Sequence, residues 1–292
     1  MDYQGIIIRP PSEAESLILQ VTVGCSHNKC TFCPTYKNVK FRLKSWDIIK
    51  NDIDEAKMLY GDYVRRVFIT DGDALILKQD YLLKLFDTLF ESFPKLQRIG
   101  IYGNTKSILR KTVEQLCELK EHGLGIIYHG IESGNDEVLK RVNKGSTCIE
   151  HIIAGKRVKE AGIKLSITVL LGIGGKELSF EHARDTGTLI TEIQPDYVGA
   201  LTVIVCEGTP LYEEMLNGTF KLPTPFELLE ELKIMLEHTH MNSGLFMANH
   251  ASNYLPLKLR MPKDKEKAIE LINEVLKRKD TKMLKPEYLR AL

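Results

Sequence analysis

Three cysteines fall within nine residues of the segment 24–36, GCSHNKCTFCPTY: Cys25, Cys30 and Cys33, with His27 between the first two. Thiolates this close can hold zinc, close a disulfide, run a dithiol redox cycle or carry an iron–sulfur cluster. A structural zinc site takes four ligands, usually as two separated pairs. Here only Cys30 and Cys33 have pair spacing, and no second pair follows. A dithiol cycle would use Cys30-Thr31-Phe32-Cys33 and leave Cys25 unexplained. An iron–sulfur cluster uses all three thiols, and three ligands on a four-iron cube leave one iron open for chemistry. Zinc with His27 as fourth ligand stays open as the alternative, as does His27 as an ordinary loop residue.

Other polar groups recur at comparable places. Asp71-Gly72-Asp73 follows the apolar run 66–70, and Asn104 follows 98–102. Glu132-Ser133 follows 125–131, and the glycines of 172–175 follow 163–171. These runs, with 17–23 and 197–204, predict six strands. Helical spacing is expected over 46–59, 79–91, 108–122, 148–161, 178–193 and 225–238, with Gly123 and Gly162 ending two of them. Alternation of this kind implies parallel strands, whose functional residues sit where strands pass into loops. The five polar loops meet that demand. The fold expected is α/β, a partial (β/α)6 TIM-like barrel, with a doubly wound sheet as runner-up. The expected parts are an N-terminal extension 1–16, a core 17–205 and a C-terminal segment 206–292. The last part closes the barrel and carries an outer charged helix within 262–292.

Bulk properties narrow the partners. Lys and Arg number 40 against 39 Asp and Glu, so nothing in the overall charge favours nucleic acid. No apolar run reaches spanning length, and residues 1–16 lack the pattern of a secretory signal, so the cytoplasm is expected and no membrane. In that compartment clustered cysteines are metal ligands or catalytic groups rather than disulfides. Cys117, Cys148 and Cys206 form no second motif, and Cys117 reads as a buried helical thiol.

The five loops together resemble the radical S-adenosylmethionine superfamily, in particular its coproporphyrinogen oxidase and elongator-type branch. The resemblance implies one 4Fe–4S cluster on Cys25, Cys30 and Cys33. Its open iron would chelate S-adenosylmethionine, and reductive cleavage would give a 5′-deoxyadenosyl radical that abstracts hydrogen from a small-molecule substrate. It also implies a low-potential electron donor such as flavodoxin or ferredoxin. The first cysteine gap departs from the family pattern: four residues separate Cys25 from Cys30 where three are usual, while the Cys-x-aromatic-Cys end with Phe32 is intact.

Position by position, the likeness assigns Asp71, Gly72 and Asp73 to the methionine amino group and Asn104 to a cofactor contact. Glu132, with Ser133, falls at the ribose hydroxyls, Lys144 (or Arg141) at the methionine carboxylate, and Thr168 and Gly172 beside ribose and adenine. The stretch 248–254 contributes Asn249, His250, Ser252, Asn253 and Tyr254 as a polar cluster for the substrate side, where a capped loop is the plainer account. Tyr36, Tyr128 and Arg42 are further pocket candidates, and His250 and Tyr36 are the candidate catalytic groups. No second cysteine triplet and no late cysteine-rich extension is present. A methylthiotransferase or a peptide-modifying enzyme with auxiliary clusters is therefore disfavoured. A non-catalytic iron–sulfur electron carrier or zinc scaffold is the alternative.

Overall fold

The computed structural model describes residues 1–291 and resolves them into two compact units. The fold is α/β with mostly parallel strands. The first unit holds residues 1–28, 35–129 and 157–165. In it β1 (Leu17–Gln20) pairs in parallel with β4 (Arg66–Thr70). Strand β4 pairs with β5 (Arg98–Tyr102), and β5 with β6 (Leu124–Glu132). A two-stranded antiparallel ribbon, β2 (Thr22–Val23) with β3 (Arg42–Leu43), stands apart. The strand expected over 17–23 is thus two elements. The chain leaves the main sheet at Val21, and β2 turns to pair with β3 rather than continuing beside β4.

Helix α1 (Trp46–Tyr60) is capped by Ser45 and buries Ile49, Ile53 and Ala56; α2 (Gln79–Ser92) buries Leu82, Leu85, Phe86 and Leu89. These stripes recur at helical spacing, which is why both were legible. The single helix expected over 108–122 is instead α3 (Thr105–Leu109) and α4 (Val113–Glu121). Thr112 breaks it by forming a capping box with Gln115.

The N-terminal segment lies against the strands of this unit. Gln4 and Gln20 exchange hydrogen bonds, the Thr70 hydroxyl donates to the Ile8 carbonyl, and Ser12 meets the Tyr128 hydroxyl at 2.9 Å. Glu13 is fully buried and paired with Arg98 at 2.8 Å, and it accepts from Tyr128.

The second unit holds residues 29–34, 130–156 and 166–292. After the short α5 (Asp136–Arg141) come α6 (Cys148–Glu160) and β7 (Lys164–Leu171), followed by α7 (Ser179–Ile193) and β8 (Tyr197–Thr202). Beyond these the sequence concealed more regular structure: α8 (Pro210–Leu216), β9 (Leu245–Ala248) and β10 (Leu257–Arg260), beside the expected α9 (Pro225–Glu237). Strand β9 adds in parallel to β8, and β10 turns back antiparallel on β9. The outer charged helix is α10 (Lys265–Arg278), which buries Ala268, Ile272 and Val275. No helix among the described residues is long and apolar enough to cross a membrane.

Candidate active site

In the first unit the cysteine segment, the turn after β4 and the turn after β5 are tied together by carboxylates. Asp71 is buried with a left-handed backbone, φ +73°. Its Oδ2 accepts from the Gly24 amide at 2.8 Å and from Gln20 Nε2 at 3.0 Å, and the Tyr36 side chain also hydrogen-bonds this carboxylate. Its Oδ1 is buried without a partner. Burial outweighs these bonds and raises the Asp71 pKa above the usual carboxylate value.

Gly72 follows, its amide donating to the Gly24 carbonyl at 3.1 Å. A Cβ at this position would lie 2.6 Å from Cys25 Cβ and 3.1 Å from its sulfur. Only glycine lets the turn approach the cysteine so closely.

Asp73 is fully buried, and four donors converge on it. The Ser26 hydroxyl, Asn104 Nδ2 at 2.7 Å and Ser107 Oγ at 2.5 Å share Oδ2, while the Asn104 amide reaches Oδ1 at 3.1 Å. Asn104 is itself the N-cap of α3, accepting from the Ser107 amide at 2.9 Å, and its Nδ2 also reaches Ser26 at 3.0 Å. The polar groups of Asp73 and Asn104 are therefore committed to holding loops. Ser26 and Ser107 were not foreseen, since a lone serine beside a cysteine or after a cap gives no signal of its own.

Tyr36 is half-buried, and its carbonyl accepts from Asn28 Nδ2 at 2.6 Å. Arg42 is exposed, donates to Gln4, and lines with Tyr36 and Lys40 a small cavity of about 290 Å³. Cys117, expected buried, is half-buried on α4.

In the second unit the turn carrying Cys30 and Cys33 is held from both sides. The Thr31 amide donates to the Val142 carbonyl at 3.0 Å, and the Leu211 amide donates to the Thr31 carbonyl at 3.1 Å. Phe32 packs on the apolar cluster of Val138, Val142, Leu170, Ile173, Val203, Leu211 and Phe220.

Glu132 has φ +70°, and its Oε1 accepts from Lys144 Nζ at 3.0 Å. The expected ribose acceptor and carboxylate binder thus face each other across an ion pair, both side chains little exposed. Arg141 instead sits at the surface, 3.5 Å from Glu177. Ser133 is buried and meets His182 Nδ1 at 2.7 Å. Thr168 lies mid-strand on β7 opposite Gly199. Gly172, φ +82°, donates its amide to Glu231 Oε1 at 2.6 Å.

His182 and Glu231 are fully buried residues that sequence reasoning passed over. The available signal was a lone carboxylate on the apolar stripe Leu228, Leu232 and Met235 of α9.

The C-terminal polar cluster folds mostly onto β8. Ser252 Oγ accepts from the Thr202 amide at 3.1 Å. Asn253 accepts from the Thr202 hydroxyl at 2.7 Å and donates to the Ala200 carbonyl at 2.8 Å. His250 Nδ1 meets Ser252 Oγ at 2.9 Å, and burial first, then Lys285, lowers its pKa. Asn249 is exposed, and Tyr254 hydrogen-bonds Glu287 and Arg290.

None of the six cysteines is in a disulfide. Among the described residues no three His, Cys, Asp or Glu converge on a point where a single metal ion would sit. An iron–sulfur cube makes no such demand, because its thiolates are spread around it. In the first unit, a half-buried Cys25, a glycine that keeps the face beside it clear and the unpartnered Asp71 Oδ1 suit the neighbourhood of a cluster with an amine-bearing ligand at its side.

Comparison with known proteins agrees. An uncharacterized protein of Methanocaldococcus jannaschii is 22% identical over 280 residues, covering 90% of this chain and 84% of that one. Biotin synthase of Campylobacter concisus is 27% identical over 167 residues, 55% of this chain and 56% of its own. The structure of coproporphyrinogen III oxidase from Escherichia coli, a radical SAM enzyme, superposes with a TM-score of 0.55 at 18% identity, covering 77% of this chain and 52% of that one. The chain thus spans about half the length of the last two. That likeness is one of fold, the partial TIM-like barrel. Residues 19–189 match the model of the radical SAM superfamily. The chain belongs to that superfamily and is an enzyme that works with a 4Fe–4S cluster and S-adenosylmethionine.

Proposed function

We propose that Cys25, Cys30 and Cys33 hold the cluster, that the turns after β4, β6 and β7 receive S-adenosylmethionine, and that hydrogen is abstracted from a small-molecule substrate. When bound, cluster and cofactor supply an electron and a 5′-deoxyadenosyl radical. The observation that carries the reading is the packing of Gly72 on Cys25 beside the buried, unpartnered Asp71 Oδ1. An ammonium donor would satisfy that oxygen, which is the role proposed for it toward the methionine end. Asp73 and Asn104, whose polar groups are taken up by the protein, orient this turn rather than bind.

Glu132 accepts from the ribose hydroxyls and Lys144 binds the methionine carboxylate, which requires their ion pair to open or share. Thr168 and Gly172 line the nucleoside side, and Phe32 anchors the cysteine turn through its apolar packing. On the substrate side His250 and Tyr36 are the candidates for proton handling. Arg42 and Asn249 are exposed enough to reach a ligand, whereas Ser252 and Asn253 hold the segment against β8. Residues 206–292 form the substrate-side segment, following the core 17–205 and the extension 1–16.

Enzymes of this family need a reductant; a flavodoxin or ferredoxin of low potential is the proposed class. Clustered cysteines without a disulfide suit the cytoplasm. The likeness to coproporphyrinogen oxidase is not extended to porphyrin as substrate.

Anaerobic reconstitution tests the reading. About four irons per chain and reductive release of 5′-deoxyadenosine are expected, with deuterium from a labelled substrate appearing in that product. Iron binding without cleavage would leave an electron carrier.

A further inference from the structure

The interior of the second unit contains a buried polar chain that no role above explains. Ser133 Oγ accepts from the Asn135 amide at 3.0 Å, and Thr186 Oγ1 accepts from the Gly134 amide at 2.8 Å. Each hydroxyl is thereby left to donate its own proton. Both face His182 Nδ1, at 2.7 and 3.4 Å. Nε2 is buried and lies 3.5 Å from Glu231 Oε1, and the Leu170 backbone also faces the imidazole. That same oxygen accepts from the Gly172 amide at 2.6 Å, and the other accepts from the Ser179 hydroxyl.

The contacts are contiguous: hydroxyls on one side of the imidazole, the carboxylate 3.5 Å from the other, and the Gly172 amide on the carboxylate's far side. Both ends belong to turns with a left-handed residue, Glu132 next to Ser133 and Gly172 itself. A Cβ at Gly172 would also meet Leu228 Cδ2 at 2.7 Å, so α9 presses on this turn. Helix α7 adds a second tie to the first turn, where Asn135 Nδ2 reaches Asp185 at 2.7 Å.

We propose that His182 and Glu231 are positioning residues, which couple the turn after β6 to the turn after β7 so that Glu132 and Gly172 meet the S-adenosyl group as one rigid surface. This rests on the reading of those turns as the cofactor's. Neither residue touches the ligand. A purely structural contact would affect melting alone, whereas a coupling device transmits a change at one turn to the other.

The test uses anaerobically reconstituted protein, S-adenosylhomocysteine as the probe in calorimetry, and hydrogen exchange of peptides covering 130–136 and 170–176. Glu231→Leu removes the acceptor and is expected to weaken binding by about tenfold or more, with faster exchange at 130–136. Glu231→Gln keeps an acceptor for Gly172 and should restore affinity to within about threefold of wild type. Ser133→Ala should speed exchange at 170–176, the opposite turn. Unchanged affinity in Glu231→Leu, or unchanged exchange at 170–176 in Ser133→Ala, overturns the coupling. If Glu231→Leu does not fold, the Ser133→Ala exchange decides alone. If wild type itself binds no probe, the cofactor reading fails, while the exchange arm still judges the coupling.

Discussion

Two buried carboxylates meet the same difficulty in different ways. Asp73, in the first unit, is surrounded by donors from Ser26, Asn104 and Ser107. Glu231, in the second, has two donors and a histidine nitrogen at 3.5 Å. Burial raises the pKa of both, and it carries Glu231 up to about 7. Burial also pushes His182 down to about 4, so the pair stays near neutral where most carboxylates are charged. A fully solvated anion is replaced at Asp73 by a complete set of protein donors, which is rigid. At Glu231 the set is incomplete, and the network keeps a proton that it can lose.

The largest effects break the frame that both carboxylates serve. Cys25→Ala, Cys30→Ala and Cys33→Ala should each abolish the cluster and all cleavage, although Cys25 is braced by Gly72 and the other two by Val142 and Leu211. Iron analysis after reconstitution checks this, and full iron in any one variant would remove that residue from the ligand set.

Asp73→Ala removes the shared acceptor of four donors at once, those of Ser107, buried, and of Ser26 and Asn104, half-buried. A loss of about 3 kcal/mol or more is expected in urea unfolding at neutral pH. A loss below about 1 kcal/mol would mean that water readily replaces the carboxylate.

Glu231→Gln sharpens the contrast through pH. The folded-state pKa of Glu231, about 7, lies above its ordinary 4.5. Between those values the unfolded chain has released the proton and the folded chain still holds it, so wild-type stability falls as pH rises through that window. The variant lacks this loss. Its stability relative to wild type should therefore rise by about 3 kcal/mol from pH 4.5 to 7 and level off above. A flat difference would show that Glu231 is ionised throughout.

The smallest effect concerns the ion pair of Glu132 with Lys144. Glu132→Ala should leave iron content intact and weaken S-adenosylhomocysteine binding by about tenfold. Equal affinity would take the ribose role from Glu132.

The sequence was most informative where periodicity acts. Strands β4 and β5 and helices α1, α2 and α7 were legible because apolar residues bury at spacings of two or 3.6. It failed where a partner far along the chain decides. Val21-Thr22-Val23 is β-branched throughout, yet the pairing of β2 with β3 takes it out of the main sheet. Leu245 to Ala248 becomes a strand because β8 offers an edge.

The same division holds in the site. The polar loops announced themselves by following strands, but which members bind and which brace depends on donors that spacing does not reveal. Asp73, Asn104, Ser252 and Asn253 all turned out to brace. Glu231 was hidden inside an apolar stripe.

The left-handed backbone at Glu132 has a consequence for laboratory evolution. A non-glycine residue at φ +70° carries about 1 kcal/mol of strain, and the side chain is held by its ion pair with Lys144. Selection for heat resistance alone should therefore reach Glu132→Gly early, whereas Asp71, also left-handed, is retained by its bonds to Gly24 and Gln20. A library sorted on melting temperature without a cofactor-binding screen would discard the proposed ribose contact first.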